Sequence, residues 1–477
     1  MSYANWPPLY YGVSKQPIFP ESETFMASHS TPDPATLLTR LREGNVRLVR
    51  VVWCDNGNVI RGKAIHIDAL ARQLETGACG VGLSAAQQAI SVVADAVAPG
   101  SGLGPVGEVW LVPDWPTLQL LPYAPGQARV MGEMVQDGQP WPWCSRQFLK
   151  RLVQRAAEAG FTIKAAFEPE FYLLRRGEKG LLPADSTPFA ATLAMDVHQA
   201  VVMAIADALS GQGISVEQYY PESGPGQQEI SVRYTDALAA ADQHIVYRET
   251  VKAIAHQHGL VASFVPKLYE AHAGSGCHLH LSLWQGDQNL IPDGSGGLSD
   301  IARAFAAGLL RHLPALMAIT TPSPNSYRRL RPHCWSGAYC AWGMDNREAA
   351  LRVPSNLAPP SPTHLELKTV DGAANPYLAL GGAIAAGLDG IAQGYGLPDP
   401  VQQDPGELSE AERCDRGIAL LPQSLAESLA ALEQDAVLLD ALGAPLAQTH
   451  LAVRQAELAA MAGMTLEAEV ELLLDRY

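Results

Sequence analysis

Four short stretches of the chain place acids and histidines at every second residue. In Ala165–Leu174, Glu168 and Glu170 alternate with Phe167, Pro169 and Phe171; in Glu229–Tyr234, Glu229, Ser231 and Arg233 alternate with Ile230, Val232 and Tyr234. In Gly276–Trp284, His278, His280 and Ser282 oppose Leu279, Leu281 and Leu283; in His364–Lys368, His364, Glu366 and Lys368 oppose Leu365 and Leu367. A period of two puts each polar set on one face of a β-strand. Any one such strand is ordinary, since a half-buried antiparallel strand with a wetted face reads the same way. The four together are less ordinary, because their polar positions are mostly Glu and His. If these faces meet in one sheet, several carboxylates converge, which is costly unless cations neutralise them. Carboxylates with an imidazole or two suit Mg²⁺ or Mn²⁺ bridging phosphate oxygens, not zinc or an iron–sulfur cluster. The pattern points to phosphoryl chemistry.

A second set is cationic. Arg329 in Asn325–Leu330, and Arg347 and Arg352 in Asp345–Pro354, lie in a region rich in Gly, Pro and Trp. Each alone reads as a structural ion-pair partner. Clustered opposite a face of carboxylates and cations, they become clamps for a substrate carboxylate and a transferring phosphate, which guanidinium binds bidentately. No Walker A, strand-to-helix Rossmann loop or kinase catalytic-loop signature occurs, so any nucleotide site is of another kind.

The elements that must position these residues fit an ordinary globular chain. Its 477 residues are 47% hydrophobic and 17% charged, enough for two or three domains and a large core. Thirty-three Lys and Arg against 49 Asp and Glu leave a formal charge of −16, which argues against nucleic acid or an anionic membrane as the main partner. Seven scattered cysteines without a CxxC pair suggest reduced thiols and a cytoplasmic setting. The most apolar windows, 301–320 and 377–393, are broken by Arg303, Arg311, His312 and Asp389 and read as buried helices. No signal peptide is evident.

Residues 1–34 read as an extension. A short helix around Leu37, Leu38 and Leu41 follows, then strands Val46–Trp53 and Val59–Ile67 about the turn Asp55–Asn58, a helix over 68–76, and strands at 108–112 and 117–121. The joint Gln139–Trp143 precedes a helix that Ser145 is expected to cap. Strands and helices then alternate to about 395, and residues 408–477 read as helical. The expected division is an extension (1–34), a small α+β domain (35–138) and a large α+β domain (139–477).

At these residues the chain resembles the glutamine synthetase superfamily over roughly 35–477, closest to its γ-glutamylpolyamine synthetase or γ-glutamyl-amine ligase branch. Phe167–Phe171 resembles the family's first metal-binding strand, and Glu222–Glu229 its paired-glutamate segment, with a seven-residue spacing like that branch. Lys267 with Gly274–Leu283 is similar to the ATP and metal segment; Asn325–Leu330, Asn346–Pro354 and Glu366 through Tyr377 complete the match. The resemblance implies an N-terminal β-grasp domain, a catalytic domain on a curved antiparallel sheet, and a ring homo-oligomer, commonly a dodecamer, with sites between subunits. It implies ATP as substrate and two to three Mg²⁺ or Mn²⁺ per site. Glu170, Glu222 and Glu229 would hold one metal, and Glu168, His278 and Glu366 another. His280 and Ser282 would lie along the nucleotide. Glu170, Gly274, Arg329 and Lys368 would bind the amino-acid substrate, Arg347 and Arg352 the phosphates. Asp55 would reach a neighbouring subunit's site and help deprotonate an attacking amine.

The departures bear on the nucleophile. Where glutamine synthetases carry a flap glutamate, this chain has Trp335, which cannot pair with ammonium through a carboxylate but can cover an alkyl or aromatic amine. Ala273 stands at a substrate-contacting Asn, His364 at a nucleotide-side Arg, Lys368 at an Arg that clamps the substrate carboxylate, and Asn58 at a turn Gly. The expected reaction is ATP-dependent ligation of glutamate to an organic primary amine (alkyl, polyamine or aromatic) through γ-glutamyl phosphate. Ammonium as nucleophile, a different acid, and a non-catalytic regulatory role stay open. Tyr395 reads as an ordinary loop tyrosine.

Overall fold

The computed structural model describes residues 33–178 and 180–477, so all but the last two residues of the expected extension lie outside it. The first helix, Pro34–Glu43, starts where Asp33 accepts the backbone N–H of Thr36 and Pro34 occupies the first turn. Five strands, with the two-residue strand Gln139–Pro140 paired beside the last of them, then form a mixed sheet: β1 Leu48–Cys54, β2 Ile60–His66, β3 Val81–Ser84, β4 Glu108–Leu120 and β5 Gln127–Gln136, in the order β2-β1-β5-β4-β3. β1 and β5 run parallel, and the other neighbours are antiparallel. Leu70, Leu111, Trp115 and Trp141 fill the core of this unit.

Two local expectations need correction. The stretch read as two strands at 108–112 and 117–121 is one strand, β4, because a register shift between Asp114 and Gln119 absorbs the Pro and Asp residues. Ser145 is not a cap: the helix Ser145–Glu158 has Cys144 at its N-cap, and the Ser145 hydroxyl donates to the Cys54 carbonyl at 3.2 Å. Asn58 does take the left-handed conformation that a turn glycine would serve, with φ +65°. Buried, it donates to the Gly372 carbonyl at 2.8 Å and accepts from Arg248 at 2.9 Å, tying the β1–β2 turn to the larger part of the chain.

The larger part is built on a second sheet of β6 Thr162–Gly177, β7 Val216–Pro221, β8 Gln227–Val232, β9 Cys277–Gln285, β10 Tyr339–Met344, β11 Ala349–Val353, β12 Leu365–Leu367 and β13 Ala419–Leu420. Its order is β13-β10-β11-β12-β9-β6-β8-β7, antiparallel except for the parallel pair β10–β11. The four strands singled out by their alternation are therefore consecutive: β12, β9, β6 and β8. Their apolar residues, among them Phe167, Phe171, Leu279 and Leu367, pack into one core with the long helices. The chain is α+β.

Asp300–Thr320 and Pro376–Gln393 contain the two apolar windows and are mostly buried. The second is capped by Asn375, which accepts from the N–H groups of Tyr377 and Leu378. The two helices touch backbone to backbone: a Cβ on Gly308 would lie 2.2 Å from the Ala386 carbonyl oxygen. Thr192–Ser210 is long and apolar enough to cross a membrane by length and composition alone, and its Val201, Val202, Ile205 and Leu209 are packed into the core. Tyr395 follows the left-handed cap Gly394 and stands 4.7 Å from the Arg311 guanidinium, as a loop residue.

Candidate active site

Strand register brings the polar residues together. Glu168 pairs with His278 across β6 and β9, His280 with Glu366 across β9 and β12, and Glu170 with Glu229 across β6 and β8. Glu222 comes from the turn before β8, where its backbone N–H is held by the Gln227 carbonyl at 2.9 Å. Two groups of ligand atoms result, each gathered within 4.8 Å: Glu170, Glu222 and Glu229 in one, Glu168, His280 and Glu366 in the other. His278 stands between them, its Nδ1 3.4 Å from both Glu168 and Glu366 and its Nε2 3.8 Å from Glu170.

The electrostatics of the two groups differ. Burial, then the Glu222 charge, pushes Glu170 up to about 8; burial and the neighbouring glutamates push Glu229 up to about 10. Glu366 is also buried, yet Lys368 and the two histidines overcome that and hold it down at about 2. Burial and then Lys368 bring His278 down to about 4, so it is neutral and free to ligate. A trio of carboxylates that cannot all ionise alone, beside an oxygen and imidazole set, fits divalent cations by the chemistry of its donors.

This has a consequence for stability. In the metal-free protein, Glu170 keeps a proton in the folded state that the unfolded chain has released, so stability falls as pH rises from about 4.5 to about 8. The slope is at most about 1.4 kcal/mol per pH unit for one group. Melting temperatures taken with EDTA across this range should decline, and saturating Mg²⁺ or Mn²⁺ should flatten the decline; a metal-independent profile would contradict the cation site.

The cationic set sits at one side. The Arg329 side chain is buried, with Nη2 donating to the carbonyls of Lys368 and Val370 at 3.2 Å each and Nε without a partner. Gly274 makes room for it: a Cβ there would lie 2.4 Å from Arg329 Cγ and 2.7 Å from the Pro266 carbonyl. Lys368 Nζ is 3.5 Å from Glu366, and Arg352 donates to the other oxygen of that carboxylate at 2.9 Å. Arg347 is exposed in the loop between β10 and β11, beside Asp345. Asp55 is placed differently. It is fully buried in the β1–β2 turn, 2.5 Å from Arg61 and accepting from Val59 N–H at 2.9 Å.

Next to the second ligand group lies a cavity of about 430 Å³ bounded by Glu168, His280, Ser282, Trp284, Tyr234 and His364. Ser282 accepts from the Trp284 indole at 2.9 Å, Trp284 stacks on Tyr234 at 6.3 Å, and Lys164 Nζ stands 4.3 Å from the Trp284 ring centre. The aromatic wall is suited to a flat heterocycle. It was missed from the sequence although the signal was there: Trp284 is the next polar-face residue after His278, His280 and Ser282. His280 was read as nucleotide-side only, whereas its ring also reaches Glu168 at 3.2 Å.

Over the Arg329 end, residues 331–337 form a loop pinned by the Arg331–Glu270 ion pair at 3.0 Å and the His333–Asp404 contact at 2.7 Å. Trp335 is at its tip with φ +52° and its side chain 60% exposed.

Known proteins share this architecture. Residues 142–473 match the glutamine synthetase catalytic domain and residues 19–141 the glutamine synthetase N-terminal domain. A γ-glutamylpolyamine synthetase of Streptomyces coelicolor is 40% identical over 427 residues, covering 87% of this chain and 90% of that protein. A glutamate–methylamine ligase of Methyloversatilis universalis is 36% identical, over 72% of this chain and 80% of its own. A solved complex of GmaS with ADP superposes with a TM-score of 0.80 at 31% identity, over 92% of this chain and 99% of that one. The paired acidic groups, the strand register that makes them and these likenesses together establish that the chain belongs to the glutamine synthetase family and is an ATP-dependent carbon–nitrogen ligase.

Proposed function

We propose that the chain joins glutamate to an organic primary amine, giving a γ-glutamylamide by way of γ-glutamyl phosphate. The observation that carries this reading is Trp335, an exposed indole at the flap position where glutamine synthetases use a glutamate. The names of two relatives, a polyamine and a methylamine ligase, support it.

In this reading Glu170, Glu222 and Glu229 hold one divalent cation, and Glu168, Glu366 and the histidines His278 and His280 hold a second. When bound, the cations neutralise the converging carboxylates and the triphosphate and favour attack on the γ-phosphorus. The chain's own residues do the rest. Arg329 and Lys368 grip the acid substrate, with Gly274 leaving the space for Arg329. The γ-carboxylate is held for in-line attack while Arg352, and Arg347 from its loop, meet the charge on the transferring phosphoryl group. Ser282 and Trp284 bound the nucleotide cavity. The amine then displaces phosphate from the acyl carbon after losing a proton, since an alkylammonium with a pKa near about 10.4 has little free base at neutral pH.

A ring assembly with sites between subunits, dodecameric as the resemblance implies, would bring the β1–β2 turn of a neighbouring copy to this site. For Asp55 to take that proton, the turn must open, because the Asp55 carboxylate is enclosed by Arg61 and Val59 in a single chain. The seven free cysteines support a reducing, cytoplasmic setting.

The test is phosphate release from ATP with Mg²⁺ and glutamate, one nucleophile at a time: ammonium, methylamine, ethanolamine, putrescine, spermidine, isopropylamine and aniline. Strong stimulation by an organic amine and not by ammonium is expected. Stimulation by ammonium alone would make the chain a glutamine synthetase, and silence across the panel would point to another acid or a regulatory role. In the same assay Gly274→Ala should raise the KM for glutamate about tenfold or more by displacing Arg329, with the KM for ATP little changed; equal effects on both would contradict the placement of Arg329.

A further inference from the structure

The flap has lost its own carboxylate, yet a carboxylate stands at its base. Glu348 immediately precedes β11 and is only 6% exposed. One oxygen, Oε1, accepts the Trp335 N–H at 2.7 Å; the other, Oε2, is buried with no hydrogen-bond partner. Leaving a buried carboxylate oxygen without a partner carries its full desolvation penalty, so it is retained against a cost. The segment bearing it is rigid. Asn346 Oδ1 accepts the Glu348 N–H at 3.0 Å, and Asn346 Nδ2 donates to the carbonyls of Val401 and Gln403 at 2.8 and 3.0 Å.

The surroundings bring this carboxylate near Lys368. Gly337, two residues beyond Trp335, lies so close to the sheet that a Cβ on it would meet Ala350 Cα at 2.9 Å and Lys368 Cβ at 3.2 Å. Lys368, whose backbone carbonyl receives Arg329, is near enough to act on the Glu348 charge. Asp404 and His333, which also act on it, are paired with each other. Glu348 therefore ties the backbone of the Trp335 loop to the edge of β11 near Lys368, with one carboxylate oxygen unpartnered.

On the reading that the second substrate is a cationic amine, we propose that Glu348 supplies the negative charge the flap lacks: Oε2 receives an N–H of the incoming ammonium group while Trp335 covers its alkyl chain. The indole provides the apolar wall and the carboxylate beneath it the counter-charge, two functions that a flap glutamate cannot combine. Burial raises the Glu348 carboxyl above its ordinary range, and the partner it gains in an alkylammonium favours its charged form.

Glu348→Gln separates this role from a structural one. Glutamine Oε1 still accepts the Trp335 N–H, so the flap stays tethered, and only the charge is removed. The full chain is assayed with ATP, Mg²⁺ and glutamate against the preferred alkylamine, ammonium and hydroxylamine, the last largely uncharged at neutral pH. The expected result is a KM for the cationic nucleophile about tenfold or more higher, the scale of a hydrogen bond to a charged group. The KM for glutamate and turnover with hydroxylamine should change less than about twofold on the same scale, and Glu348→Asp should recover part of the loss. Equal losses with charged and neutral nucleophiles would mean that Glu348 only anchors the flap, and an unchanged KM for the cation would overturn the proposal outright. If the wild-type chain uses ammonium alone, the reading of the amine fails, but ammonium against hydroxylamine still decides the role of Glu348.

Discussion

Replacing Glu170 by alanine is expected to lower turnover by about 10²- to 10³-fold, the scale of losing one preorganised partner of transition-state charge. Glu170 serves both halves of the site. Its Oε2 accepts from Gln227 Nε2 at 3.0 Å and from Gly276 N–H at 3.1 Å, while its Oε1 faces His278 at 3.8 Å. Removing it deprives the Glu170–Glu222–Glu229 group of a ligand and takes the acceptor from the Gly276 N–H, while Gln227 keeps the Gly274 carbonyl as a partner. Glu170→Gln separates these effects, because the amide keeps the shape and an acceptor but not the charge. Both variants should lose activity alike, and both should show a smaller rise in melting temperature on adding Mg²⁺ than the wild type. Normal turnover in Glu170→Gln would sink the assignment of this group to a cation.

The second large effect is a change of nucleophile. Trp335→Glu is expected to shift the ratio of kcat/KM for ammonium over the preferred organic amine by about 30-fold or more. The indole's contribution to holding an alkylammonium is about 0.5–2 kcal/mol, lost in the variant, while the new carboxylate favours the small cation. The residue sits at φ +52°, a conformation no easier for tryptophan than for glutamate, so the exchange adds no backbone strain of its own. Its side chain is 60% exposed, so packing loss is small. Competition between ammonium and the amine, read from the two products, measures the ratio directly. An unchanged product ratio would show that selection of the amine lies elsewhere in the site.

Much of this was legible in the chain itself. A period of two is a property of the extended backbone, so Glu168 and Glu170, or His278, His280 and Ser282, had to share a face once their segments became strands. The same logic would have reached Trp284 had the pattern been followed one step further. Short-range chemistry left the turn at Asn58 open, and the structure shows the left-handed conformation there, which a small amide side chain tolerates. It failed at Ser145, whose hydroxyl found the Cys54 carbonyl across the chain instead of the start of its own helix.

Tertiary structure decided what faces what. No local rule sets the register that puts Glu170 opposite Glu229 and Glu366 opposite both His280 and Arg352, because register depends on how whole strands bury their apolar faces. Nor could residue types tell that His280 would join Glu168 and Glu366 while His278 bridged both groups, since both histidines share one face of one strand. Asp55 shows the same limit from the other side: its motif is local, but the burial that encloses it comes from packing between distant parts of the chain, with Asn375 donating to its carbonyl at 2.9 Å. Glu348 was unremarked in the sequence for this reason too. A single acid between two apolar strands reads as a surface residue, and only the closing of the Trp335 loop onto β11 and β12 makes it a buried charge with a free acceptor. The alternation of residue types thus determined which side chains could do chemistry, and the long-range burial of apolar faces decided which of them meet.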